Sequence, residues 1–174
     1  SRGVFGTSVL WFEKDQAGYP IPAESFRELV LATVDTHDLP PAAGYLAGEH
    51  VDIRARLGLL TEPEPKVRAE ANQERDRMVG RMYDYGLLDE DPTEREIIEA
   101  LHRYVAMTPS LLVGVSLTDA VGERRAQNQP GTDTEYPNWM IPLADGSETP
   151  VMVEKLPSNA RLRSLVAALR APGG

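Results

Sequence analysis

Three short segments carry side chains whose types and spacing could do chemistry. The first is Thr36-His37-Asp38, directly after the apolar run Leu29 to Val34. An imidazole beside a carboxyl sets a donor and a charged acceptor next to each other, which suits pairs of sugar hydroxyls. In α/β barrels catalytic groups stand at the C-terminal ends of strands, and this pair follows a strand-like run. The same residues fit a loop Asp making a local turn bond and a His packed at a strand end. The second segment is Asn128-Gln129-Pro130-Gly131-Thr132, which sets side-chain amides on a rigid turn. It suits a ligand-facing loop, and equally a plain surface turn. The third is Tyr136-Pro137-Asn138-Trp139, where an indole beside amides could stack on a sugar ring or anchor the loop in the core.

Other chemistries find little support. His50 and His102 are isolated, and His102 reads as a partly exposed helix residue. No HxxxH, HExxH or carboxylate cluster with metal spacing occurs, so no metal site is expected. Without Cys and without GxSxG, acyl-transfer nucleophiles lack a candidate, and disulfides are excluded. Lack of Cys also fits a cytoplasmic enzyme. The acidic run Asp89-Glu90-Asp91 reads as solvated loop and helix cap. The mixed charges from Arg68 to Asp84 read as an outer helix face rather than a partner surface. The net charge of −9 opposes binding of nucleic acid, whose affinity rests on Lys and Arg, but not of a neutral sugar. No apolar run approaches the ~20 residues that cross a bilayer. The 174 residues suit one domain with a real core. The start Ser1-Arg2-Gly3 resembles neither an initiator Met nor a signal peptide, and reads as a cut through a longer chain.

Elements must position these groups. Val4 to Phe12 is rich in β-branched and aromatic residues and predicts a strand. Ala23 to Glu28 predicts a short helical turn. Leu29 to Val34 predicts a strand buried on both faces, as in a parallel sheet. Pro40-Pro41 then reads as a stop to any helix, and 57–65 as a loop. A long helix is predicted over 67–85, with Ala71, Met78, Val79 and Met82 inward and Gly86 as its end. A second begins at Asp91-Pro92-Thr93-Glu94 with Asp91 as cap, and buries Ile97, Ile98, Leu101 and Val105. Ser110 to Leu117 predicts another buried strand, and 119–150 is mostly irregular. Ser158 reads as the cap of a last helix with Leu162, Leu165, Val166 and Leu169 on one stripe. Strands separated by helices predict an α/β fold with a parallel sheet. Three strands make a piece of a barrel rather than a closed one, which takes about 250 residues.

Taken together, the segments resemble the amylomaltases, or disproportionating enzymes, of glycoside hydrolase family 77. "VLWFEKD" resembles that family's sixth barrel strand and exit, and "TVDTHDLPPAAGYLAGEH" its seventh strand with the THD motif. "SLLVGVSLTDAVGERRAQNQPGTDTEYPNWMIPL" resembles the eighth strand and the loop beyond it, with N-x-P-G-T and N-W elements. "DLPP…GYL" looks like the actinobacterial-type branch. The resemblance implies that residues 1–174 are the C-terminal part of a TIM (β/α)8 catalytic barrel, about its last three strands with their helices. It implies a 4-alpha-glucanotransferase that passes a segment of an α-1,4-glucan to the 4-hydroxyl of another glucan, retaining configuration by double displacement. Asp38 then matches the transition-state-stabilising carboxylate and His37 its hydroxyl-binding neighbour, while Asn128 matches a position lining the substrate groove. The family's nucleophile Asp and acid/base Glu lie on earlier strands. No carboxylate here matches either, and Glu13 falls past the acid/base position, so the chain alone is expected to be inactive. Its exposed strand edges would favour oligomer contacts or aggregation, and its oligomeric state stays open. No cofactor is implied, and α-1,4-glucans are the expected partners, with no nucleic acid or membrane. An α-amylase-like hydrolase and a non-catalytic carbohydrate-binding or interaction domain remain the alternatives.

Overall fold

The computed structural model describes residues 4–170. Three strands form one parallel sheet in the order β1 (Gly6–Val9), β2 (Val30–Thr33), β3 (Leu112–Gly114). Gly6 pairs with Val30, and Leu31 with Leu112, so β2 is central. Parallel neighbours need crossover connections. The first crossover holds only the short 3-10 turn Ala23–Ser25. The second holds α1 (Ala42–Ala47), α2 (Glu49–Arg56), α3 (Glu64–Asp84) and α4 (Glu94–Ala106). After β3 come α5 (Leu117–Val121), an irregular stretch, the 3-10 turn Val153–Ser158 and α6 (Ala160–Arg170).

Alternation along β2 decides which face is covered. Val30, Ala32 and Val34 are 1%, 0% and 0% exposed, and Ala32 and Val34 join a core with Met78, Met82, Ile98, Leu101 and Tyr104. Leu29 and Leu31 are 42% and 37% exposed. The expected burial on both faces is therefore corrected: α4 packs on the face of Ala32 and Val34, while on the other face Leu29 and Leu31 are open and only Thr33, at the strand's end, is buried. Leu111, Leu112, Val113 and Val115 are likewise exposed, so the third strand is short and open where a buried one was expected.

Several helix ends differ from the sequence reading. Pro40-Pro41 opens a helix instead of stopping one, since Pro41 sits at the start of α1, where a missing N–H is no loss. Thr93, not Asp91, caps α4: its hydroxyl accepts from Glu96 N while Glu96 returns a bond to Thr93 N, a complete capping box. Asp91 instead takes a left-handed turn at φ 52°. Asn159, not Ser158, bonds the first turn of α6 through Leu162 N at 3.0 Å. Gly44 in α1 packs directly on the Arg124 carbonyl with no room for a Cβ, so α1 and the segment after α5 meet backbone to backbone. Arg124 reinforces the joint with ion pairs to Glu49 on α2 and Glu94 on α4.

Candidate functional site

The chain turns out of β2 at Asp35, and His37 and Asp38 follow at the C-terminal end of the strand. Both side chains are open to solvent, 60% and 51% exposed. His37 Nε2 stands 3.4 Å from Asp38 Oδ2, and Asn128 Nδ2 donates to Asp38 Oδ1 at 2.6 Å. Two expected site segments thus meet, although 90 residues separate them. The third arrives through Trp139, whose ring centroid lies 5.0 Å from that of His37. Trp139 is 63% exposed with φ 62°, so it lies at the surface beside His37 and not in the core.

Internal bonds hold the loop that presents Asn128. Asn138 Oδ1 accepts from Gln129 N at 2.8 Å, and its Nδ2 donates to Thr132 Oγ1 at 2.9 Å. Trp139 N donates to Gln127 O, and the Tyr136 hydroxyl to Ala126 O at 2.7 Å. The loop is therefore built rather than loose, which separates it from a plain surface turn. Its base rests on Glu123, a buried carboxylate that accepts from Arg124 N, Arg125 N, the Arg125 guanidinium and Ala144 N. Burial would raise the pKa of Glu123, but the Arg125 bonds and charge and the Ala144 bond outweigh it and leave it lowered.

Beneath the His37–Asp38 turn lies a second polar group that no sequence pattern announces. Asp119 and His102 are both 0% exposed, and His102 Nε2 meets Asp119 Oδ2 at 2.8 Å. The partly exposed His102 expected from the sequence is thus corrected: its ring is turned inward because α5 brings it a buried acceptor. Asp119 Oδ1 accepts from Ala42 N at 2.7 Å. Asp35, also buried, faces the same carboxylate. Burial first, and then the Asp119 charge, hold Asp35 well above the usual carboxylate range, with the Ser116 hydroxyl pulling the other way. The only hint in the sequence is Ser116, whose hydroxyl caps α5 by accepting from Asp119 N.

A cleft of about 590 Å³ opens beside Asp38 and Asn128, with Trp11, Phe12, Tyr45 and Arg54 among its lining. Trp11, Tyr45 and His50 stack in sequence at its base, with centroids 4.2 and 5.0 Å apart. Lys14 pairs with Glu74 at its side. Among the described residues no cluster of three or more His, Asp or Glu side chains could hold a metal ion, and no helix is long and apolar enough to cross a membrane.

A carboxylate, an imidazole, an amide and an exposed indole thus stand together at a strand end. The family profile described as 4-alpha-glucanotransferase matches residues 1–147. The 4-alpha-glucanotransferase of Mycobacterium bovis is 48% identical over 98% of this chain, which covers 24% of that protein. That of Haemophilus influenzae is 27% identical over 81% of the chain and 21% of its own length. The crystal structure of amylomaltase from Corynebacterium glutamicum superposes with a TM-score of 0.91 at 42% identity, over 97% of this chain and 26% of that one. The chain thus spans about a quarter of the length of these relatives. With a profile match across most of its residues and mycobacterial relatives at 48% identity, the chain belongs to the 4-alpha-glucanotransferases of glycoside hydrolase family 77.

Proposed function

We propose that residues 1–174 form the C-terminal part of the catalytic (β/α)8 barrel of a 4-alpha-glucanotransferase, and that Asp38, His37 and Asn128 bind the reacting sugar. The observation that carries this is the exposed Asp38 carboxylate at a strand end, bonded by Asn128 and flanked by His37. The half-covered sheet, with apolar Leu29, Leu31 and Leu112 open on its second face, supports a barrel whose remaining strands lie elsewhere in the protein.

The chemistry of retaining glucan transfer needs a nucleophilic carboxylate and a carboxylic acid about 5–5.5 Å apart. Neither comes from this chain, so its contribution is to the sugar and its transition state. Asp38 has acceptor capacity left on both oxygens and can take hydroxyl protons of the glucosyl unit undergoing transfer. Those bonds strengthen as positive charge grows on the ring, while the anion lies close enough to favour that charge. His37 supplies a ring nitrogen to a neighbouring hydroxyl. The bond from Asn128 fixes the carboxylate, so that little reorganisation accompanies the reaction. The Trp139 indole, leaning on His37, offers a face to an adjoining ring. The cleft beyond Asp38 has the size of a small-ligand site and can take further units of the chain. Residues 1–174 alone hold no transferase activity on this reading.

Incubating the whole enzyme with one pure malto-oligosaccharide tests the assignment. Transfer yields products both longer and shorter than the starting sugar. A hydrolase yields only shorter ones, and a binding module leaves the sugar unchanged; either result rejects the proposal.

A further inference from the structure

Asp119 is a fully buried carboxylate for which sugar binding has no use, and burying a charge is costly unless its bonds are complete. Its bonds have a particular layout. Oδ1 accepts from Ala42 N at 2.7 Å. Oδ2 meets His102 Nε2 of α4 at 2.8 Å. The buried Asp35 carboxyl lies near the same group: burial first, and then the charge of Asp119, raise its pKa. Asp35 precedes Asp38 by three residues and Ala42 follows it by four. Asp119 therefore holds the chain by a direct bond at Ala42, just past the turn that displays His37 and Asp38, and neighbours the buried Asp35 just before it. The helix that carries Asp119 runs through Gly122 and Glu123 into the segment that ends in Asn128, the direct partner of Asp38. Arg95 of α4 steadies that helix from the other side by donating to Asp119 O at 3.1 Å.

We propose that Asp119 is a positioning residue for Asp38: it closes the 35–42 loop from beneath and locks it in register with the Asn128 loop. The inference rests on the reading of Asp38 as the carboxylate that meets the sugar. Asp119 itself never touches substrate. Its loss therefore misplaces Asp38 without emptying the site, and an error of about 1 Å in such a group can cost about 10²-fold in rate.

The test is Asp119→Asn in the whole enzyme. The amide keeps the size and one acceptor for Ala42 N, but it lacks the second acceptor and the charge. The expected result is a kcat for transfer lower by about 10²-fold, with KM changed much less. Hydrogen exchange at the Ala42 amide speeds up, while the rest of α4 stays protected. A kcat like that of the parent enzyme, well below the melting temperature, overturns the proposal. Should Asp119→Asn fail to fold, Asp35→Ala and Asp35→Asn decide. Asp35→Asn keeps a polar side chain beside Asp119 and restores the kcat that Asp35→Ala loses; equal kcat in the two overturns the idea. Asp38→Asn, run in parallel, separates the two levels. If it abolishes transfer while Asp119→Asn does not slow it, only the positioning role falls. If it leaves transfer intact, the sugar-binding assignment falls, and the positioning role with it.

Discussion

At the residue scale, the site turns on a short bond between a carboxylate and an amide. Asn128→Asp replaces the donor with a second anion facing Asp38, so the two repel. Transfer should fall by about 10-fold or more at neutral pH, in line with the roughly 1.5–3 kcal/mol typical of a bond to a charged group. Transfer rates of the variant and its parent, measured side by side, read this. Asp35 gives stability a pH dependence. Its folded-state pKa is raised by burial and by Asp119, so the native chain holds this proton more tightly than the unfolded one. The contribution to stability is full in acid and is lost as pH climbs from the ordinary carboxylate range through the raised value. Asp119, His102 and Arg95 are the charged or titratable groups placed to feel the change. Asp35→Asn should remove that decline, and melting temperatures of the two proteins across pH should converge in acid and part in base. The His37-Asp38 pair was legible in the sequence because its members are adjacent and follow an apolar run. The bond from Asn128 was not, because only folding brings residues 90 positions apart together. His102 looked isolated for the same reason: its partner lies on another helix.

At the element scale, the long periodic helices α3 and α4 were legible from Met78, Met82, Ile98 and Leu101, which the structure buries completely. Leu101→Ala should cost about 2–5 kcal/mol, read by denaturant unfolding. Short pieces were harder to find. The helices α1 and α2 escaped notice because Pro40-Pro41 reads as a break, whereas proline at the first turn of a helix disturbs nothing. Two caps were assigned to the wrong neighbour. Which of two nearby polar residues caps a helix depends on backbone angles, and Asp91 is committed to a left-handed turn. Gly44 carries an element-level consequence of its own. An added methyl would strike the Arg124 carbonyl and push α1 off the segment leading to Asn128. Gly44→Ala should destabilise by about 1–3 kcal/mol, as overpacking does, and lower transfer as well, because the displaced joint carries both loops. A melting curve and a rate measured on the same preparation check the two effects.

At the scale of the whole molecule, the chain is about a quarter of the enzymes it resembles, and its sheet is covered on one side. Parallel sheets are stable when both faces are covered. Residues 1–174 expressed alone should therefore self-associate through Leu29, Leu31 and Leu112, and sedimentation of Leu31→Lys beside the parent chain should show less association. The parallel α/β character was legible in the apolar runs separated by helices. The open face was not, since an apolar run looks the same whether its covering elements lie in the chain or outside it. The most direct test of the account is the disproportionation rate of the whole enzyme with Asp38→Asn, which keeps the shape of the side chain and removes its charge. Transfer should fall by about 10²- to 10³-fold with an unchanged melting temperature, a loss of the size that follows removal of a single preorganised transition-state contact. Transfer at the parent rate in that variant would contradict the account.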